Sequence, residues 1–379
     1  MSKRWLISVL SVVTLVAFTV AGCSSGSKEP IKIGAIAPLS GGAAMVGDTQ
    51  VKGIQLAIDQ VNAKGGIKGR KLELIAEDDE QNPAKSVNAA NKLVYKDKVI
   101  GVIGTVNSSA TLANMEVTKK AEVPQITPIS SNPKITRSGN PWIFRLQASD
   151  TQQAQAIVDY AIKVQGLKRL AVLYQADDYG TGGKDVVVKR AQELGSPVVA
   201  VESYNPGAKD MTAQLLKIKE AKADGLVIWG MYPEGALIAR QAKQMDFHPQ
   251  LMGGGGLTNP KLVELAGDAV YGLLNTQTFF PDPQGASPEA KAFIEAYKAK
   301  YGVLPDSNAA MSYDSMMIMA KAIEKAGTDK KKIRDEIAAI KGYRGVTGVI
   351  DIDQYGDANR EILIIQVMQG GYKVVWPKR

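Results

Sequence analysis

Residues 99–110 read Val99-Ile100-Gly101-Val102-Ile103-Gly104-Thr105-Val106-Asn107-Ser108-Ser109-Ala110, and a helical pattern follows to Lys120. The apolar run Val99–Ile103 is a strand, and the small-residue turn after it opens directly into a helix over Ala110–Lys120. The same unit recurs in both directions. Strands are expected at Ile31–Ala37, Leu72–Glu77, Gln125–Ile126, Leu170–Tyr174, Val198–Val201 and Leu226–Trp229. Between them Ile54, Ala57, Ile58 and Val61 recur at helical spacing, as do apolar residues in 84–95, 152–164, 181–193, 211–221 and 234–245. Short apolar strands alternating with helices mean βαβ units and parallel sheets, an α/β fold.

The series pauses at Arg145-Leu146-Gln147-Ala148-Ser149-Asp150 and then restarts. Four strand–helix pairs precede the pause and about four follow it, which predicts two Rossmann-like lobes with a ligand cleft between them. Helical patterns at 288–300, 308–325 and 331–340, then a β region from Val349, form a tail too short for its own core. The expected organisation is one lobe of 31–148 plus 278–356 and a second of 149–277 plus 357–379. A chain of 379 residues fits two domains.

The N-terminus places the protein outside the cytoplasm. Lys3 and Arg4 precede an apolar run from Trp5 to Val20, too short to span a bilayer. Residues 1–22 therefore read as a signal peptide. Val20-Ala21-Gly22-Cys23 resembles the bacterial lipobox, with Cys23, the only cysteine, as the acylated residue and 23–30 as a tether. An exported protein with one lipidated cysteine has none left for disulfides, so packing must hold it together. Losing the leader leaves 44 basic residues against 38 acidic ones. That mild excess suits an anionic membrane surface and is too scattered for a nucleic-acid footprint. Lys330-Lys331-Lys332 reads as a solvated helix start.

Enzyme chemistry finds little footing. Gly180-Thr181-Gly182-Gly183-Lys184-Asp185 fails the phosphate-loop spacing, and Gly253–Gly256 lacks the separation of a dinucleotide loop. His248 is the only histidine, so a triad or a histidine metal site would have to be built on it alone. Glu77-Asp78-Asp79-Glu80 reads as a strand-to-helix loop whose acids favour the next helix N-terminus. No metal or cofactor is expected. What remains are two hydroxyl-rich clusters after successive strands, 104–110 and 127–132. Each alone is ordinary capping; together they suit a carboxylate held by hydroxyls and backbone N–H groups.

Several stretches resemble the leucine/isoleucine/valine-binding proteins: Ile36-Ala37-Pro38-Leu39-Ser40-Gly41, Val61-Asn62-Ala63-Lys64-Gly65-Gly66-Ile67, Val102-Ile103-Gly104 with Ser108-Ser109, and Gln125-Ile126-Thr127-Pro128. The match runs in order through the chain after its leader. The resemblance implies a type I periplasmic-binding fold with three crossovers and a ligand clamped between lobes. It also implies an ABC permease as partner, a monomer, and no catalysis. The expected ligand is an aliphatic, branched-chain amino acid. Left open are a small carboxylate without an ammonium (an aromatic or short-chain acid), an amide, or a sensory role for the same fold.

By the same resemblance, Ser108 binds the ligand carboxylate, with Val106 and Ser109 beside it. Ile129 supplies backbone contacts, Ser131 meets the amino acid head, and Tyr179 closes over the ligand from the second lobe. Tyr232 and Tyr313 lie at or next to lining positions. Two departures stand out. Val46 replaces an aromatic of the first lobe, and Gly255 stands where the family carries the acid that holds the ammonium. An unpaired buried ammonium is costly, so either Glu234 or another acid substitutes, or the ligand has no ammonium.

Overall fold

The computed structural model describes residues 29–282 and 286–377. Cys23, the leader and most of the tether lie outside the described residues. The first sheet is built from β1 (Ile31–Ala37), β2 (Leu72–Asp78), β3 (Val102–Gly104), β4 (Gln125–Thr127) and β5 (Ile143–Arg145), in the order β2-β1-β3-β4-β5. All its pairings are parallel. The helices that join these strands are α1 (Ala44–Ala63), α2 (Pro83–Asn91), α3 (Ser108–Lys120) and the single turn α4 (Lys134–Arg137). Covered on both faces, β1 reads from Ile33 to Ala37 as an unbroken run without polar side chains rather than an alternating one, and every residue of the strand but Lys32 is buried.

The second sheet contains β6 (Leu170–Gln175), β7 (Ala200–Tyr204), β8 (Gly225–Trp229), β9 (Gln250–Gly253) and β10 (Leu274–Gln277). Its helices are α5 (Asp150–Asp159), α6 (Asp178–Glu193), α7 (Thr212–Glu220), α8 (Tyr232–Gln244) and α9 (Pro260–Ala266). Local chemistry sets the helix starts: Ser149 and Gln152 form a capping box at α5, and Asp177 accepts the Gly180 N–H at α6, 2.8 Å away.

After β10 the chain returns to the first lobe. Helices α10 (Pro288–Tyr301), α11 (Ser307–Ala326) and α12 (Lys330–Ala338) share one buried core with β1 and α1. Gly53 makes this close: a Cβ there would stand 2.2 Å from the Ala309 carbonyl oxygen, so α1 and α11 pack backbone to backbone. The hairpin of β11 (Tyr343–Gly345) and β12 (Gly348–Ile350) follows, and β13 (Leu363–Met368) and β14 (Gly371–Trp376) then join the second sheet beside β10. The second sheet is therefore mixed rather than purely parallel, because β10, β13 and β14 pair antiparallel. The α/β architecture of two parallel-rich lobes is the one the sequence predicts.

Three strands went unmarked in the sequence, for one reason. β10 is Leu-Asn-Thr-Gln and β5 ends in Arg145, polar side chains that are buried and hydrogen-bonded, and β9 begins with the half-buried Gln250. Interior polarity in a short strand looks like a loop. Elsewhere the shift is small: β7 begins two residues later than expected, and its Val201 is exposed.

Among the described residues no helix is long and apolar enough to cross a membrane.

Candidate functional site

The parallel strands of both lobes point their carboxyl ends at one cleft, where α/β sheets bind ligands. From the first lobe, β3 delivers Val106 and Asn107, β4 delivers Ile129 and Ser131, and α1 adds Val46. From the second, α6 brings Tyr179, the turn before α8 brings Met231, and the turn after β9 brings Gly255, Gly256 and Thr258. Gln147 and Gln153 flank the first crossover, and Asn308 comes from α11. Together they line a narrow cleft between the two lobes. None of these lining residues is a carboxylate, a lysine, an arginine or a histidine.

A buried polar network fixes the two first-lobe loops. Asp79 accepts hydrogen bonds from Thr105 Oγ1 at 2.6 Å and Ser86 Oγ at 3.1 Å. The Thr105 carbonyl accepts from Thr127 Oγ1 and Ser130 Oγ, both at 3.0 Å. Burial raises the Asp79 carboxyl above its usual range, against the lowering effect of these bonds. The acidic run 77–80 is thus a structural tie between loops. Asp78 plays a similar part, accepting Leu39 N–H at 2.8 Å and Ser40 Oγ at 2.6 Å.

The lobes touch across the cleft. Asn107 caps α3 by accepting the Ala110 N–H at 3.2 Å, and its Nδ2 donates to Asp177 Oδ2 at 3.1 Å. Asp178 N–H donates to Ser109 Oγ at 3.2 Å, and Asn132 Nδ2 donates to the Asp178 carbonyl. Tyr232 donates its hydroxyl to the Gly42 carbonyl at 3.3 Å. A capping asparagine therefore also bridges the two lobes.

Of the residues singled out in the sequence, Val106, Ile129, Ser131, Tyr179 and Gly255 line the cavity. The Tyr179 hydroxyl accepts the Gly256 N–H at 3.2 Å, and its ring packs 6.3 Å from that of Trp229. The Gly255 N–H donates to Gln153 Oε1 at 2.9 Å. Ser108 sits at the start of α3, buried behind the lining, where its Oγ accepts the Asn132 N–H at 3.3 Å. Ser109 and Tyr232 are lobe-to-lobe contacts rather than lining residues.

Two of the expected residues stand apart from the lining. Tyr313 lies in the first-lobe core, its ring 4.9 Å from Phe293 and its hydroxyl on Gln60. This tyrosine of α11 is packed there by its apolar ring and is not among the residues that line the cavity. Glu234 is likewise no counter-charge for the cavity, since its Oε1 accepts the Gly207 N–H at 2.8 Å. His248 is exposed and bonds only to Asp246.

Sequence reasoning missed Asn107 as a lining residue, and with it Gln147, Gln153, Met231, Thr258 and Asn308. The glutamines flank the pause at 145–150, which could have marked them. Asn308 arrives from a distant segment and leaves no local signal.

The comparisons with known proteins follow this geometry. A family model described as periplasmic binding protein matches residues 30–372. The chain is 34% identical to a leucine-, isoleucine-, valine-, threonine- and alanine-binding protein of Pseudomonas aeruginosa, over 90% of this chain and 91% of that one. The structure of a leucine-binding protein from Thermotoga maritima superposes with a TM-score of 0.85 at 35% identity, covering 91% of this chain and 97% of that one. A branched-chain amino acid transporter substrate-binding protein from Streptococcus pneumoniae, solved with isoleucine, gives 0.83 at 31%, covering 91% and 99%. The fold, the cleft and a match along almost the whole described chain agree, and the chain is a binding protein rather than an enzyme, a member of the periplasmic binding protein family on its leucine/isoleucine/valine-binding side.

Proposed function

We propose that this chain is the extracytoplasmic, lipid-anchored solute-binding protein of an ABC importer, and that it clamps a branched-chain aliphatic amino acid between its lobes. The observation that carries the reading is the composition of the cavity wall. Val46, Val106, Ile129 and Met231 offer an apolar surface from both lobes, while Asn107, Ser131, Gln147, Gln153 and Thr258 offer neutral polar groups. The N-terminus of α3 adjoins that wall, and its free N–H groups and dipole favour a carboxylate. The relatives named above bind amino acids of this size.

One specific observation favours a second reading. No carboxylate lines the cavity among the described residues, so a zwitterion would place its ammonium against neutral oxygens alone. A branched or aromatic carboxylic acid without an ammonium meets no such cost. A thermal-shift screen of amino acids against matched acids separates the two, because a ligand stabilises the protein in proportion to the logarithm of its concentration over Kd. If neither class shifts the melting temperature, the amino-acid and carboxylate readings of the ligand both fail.

Ser131→Ala is expected to weaken the bound carboxylate or head group about 10- to 100-fold. A charge-assisted hydrogen bond in a dry site contributes ~1.5–3 kcal/mol, and 1.4 kcal/mol is tenfold. Titration calorimetry of the variant gives the answer, and unchanged affinity would remove Ser131 from the ligand.

The chain crossings near Ala148, Thr278 and Gly356 would act as the hinge. Binding selects the closed arrangement through contacts that exist only there, so small-angle scattering should show a smaller radius of gyration with saturating ligand. Anchoring has a separate test. Cys23→Ala should move the protein from the membrane fraction to the soluble one with its fold intact, and retention on the membrane would sink the lipoprotein reading.

A further inference from the structure

We propose that Asp150 is a proton-binding site completed by closure of the lobes, so that ligand binding takes up a proton and is favoured by acid. The inference rests on the closing clamp above, though not on which ligand it holds. Asp150 opens α5, which packs on α6 of the second lobe, and its side chain is fully buried. What covers it from the first lobe is the loop that lines the cavity. The Asp150 N–H donates to the Ser131 carbonyl at 2.8 Å.

On the second-lobe side Trp229 Nε1 donates to Asp150 Oδ1 at 3.3 Å. The other oxygen, Oδ2, has no hydrogen-bond partner among the described residues. A Cβ added at Gly182 would stand 3.0 Å from Oδ2 and 2.6 Å from Asn132 Nδ2. The second-lobe helix α6 and the first-lobe amide of Asn132 therefore meet over this orphaned oxygen. Asn132 spends its own Nδ2 on the Asp178 carbonyl.

The charges around Asp150 do not relieve it. Arg145 is near enough to favour the carboxylate, but its N–H groups go to Asp357, the Ser131 and Asn132 carbonyls and Thr136. Asp177 at the start of α6 is a like charge, and the neighbouring Tyr179 hydroxyl, which accepts the Gly256 N–H, makes no hydrogen bond to the unpartnered Oδ2. Burial dominates and lifts the Asp150 carboxyl to about 7, against the lowering pull of the Ser131 hydroxyl, the Arg145 charge and the Trp229 indole. When the lobes part, the Ser131–Asn132 loop leaves and water reaches Oδ2. The carboxyl then returns towards the ordinary aspartate value near 4.

The sign follows. A group whose value is raised in the closed state favours closure when protonated. That contribution is full below the open-state value and is lost as pH rises through about 7. Ligand affinity should therefore rise on acidification between roughly pH 7.5 and 5, by up to about tenfold per pH unit, and be flat above pH ~8. No imidazole competes for this role, since the single histidine is exposed at the far end of α8.

The experiment is titration calorimetry from pH 5.5 to 8.5 with leucine or 4-methylpentanoate, whichever the wild-type protein binds in the screen above. In two buffers of different ionisation enthalpy at pH 6.5, the wild type should take up a substantial fraction of one proton per ligand. Asp150→Asn, which keeps an acceptor for Trp229, should bind with no pH slope and take up none. A flat wild-type profile without proton uptake overturns the proposal, as does a slope that survives in the variant. Should the variant not fold, the wild-type proton count decides alone. Failure to bind either compound in the screen would instead count against the ligand reading, and binding without proton uptake counts only against Asp150.

Discussion

Arg145→Met should lower the unfolding free energy by about 3–5 kcal/mol, the usual consequence of removing one member of a buried ion pair. Arg145 is completely buried at the end of β5, and its Nη2 lies 2.7 Å from Asp357 Oδ1. Its Nη1 donates to the Ser131 and Asn132 carbonyls at 2.8 and 2.6 Å, and Nη2 to Thr136 Oγ1 at 3.1 Å. Methionine fills much of the volume but removes the only fully buried cation beside Asp357, which keeps the more exposed Arg137 at 3.3 Å, and one donor from each of two carbonyls, Ser131 keeping the Asp150 N–H and Asn132 the Ile135 N–H. The same substitution frees the loop that carries Ser131 into the cavity, so ligand affinity should fall with stability. Arg145→Lys should recover little of either, because one ammonium cannot reproduce a planar fork that serves four residues. Urea denaturation measures the first effect and calorimetry the second. A loss under 1 kcal/mol would mean that water or a local rearrangement satisfies Asp357, and that the guanidinium is not what holds this corner.

Arg145 also shows where sequence reading stops. The α/β class was legible because β1, β6 and β8 are apolar on both faces and alternate with helices whose apolar residues repeat at 3.6. The turns after β3 and β4 were legible as ligand loops because hydroxyls and asparagine crowd two strand ends. Their internal chemistry was not. Asn107 both caps α3 and bridges to Asp177, and only the closed lobes reveal the second bond. A buried arginine in a three-residue strand, or Asn275 and Thr276 inside β10, breaks the hydrophobic pattern that marks strands. Such groups are affordable only where every donor finds a partner, and those partners come from distant segments. Asp357 lies 212 residues from Arg145 along the chain. Tyr313 erred in the opposite sense: a polar-tipped aromatic on a helix suits a cleft or a core equally well in sequence. Packing against Phe293 resolves it.

Gly255→Glu is expected to invert ligand preference between zwitterions and simple acids, with the largest change in binding of any single substitution at this site. The position faces the cavity and is not blocked. An added Cβ would stand 3.3 Å from Gln153 Oε1 and 3.6 Å from the Thr276 carbonyl oxygen, so a small adjustment admits a side chain. A glutamate there brings a full negative charge into a cavity whose described lining has none. In a closed site of low dielectric, like charges cost several kcal/mol, so a bound monocarboxylate should weaken by 100-fold or more. The same charge pairs with the ammonium of leucine or valine, whose affinity should hold or rise. If wild-type protein prefers 4-methylpentanoate and Gly255→Glu shifts it to leucine, the missing acid defines the specificity of this chain. If wild-type protein prefers leucine and the variant gains less than threefold, neutral oxygens of the lining already suffice for the ammonium. Indifference of both ligands to the new charge would place the ligand head away from the Gly255 turn, against the reading of the cavity made here.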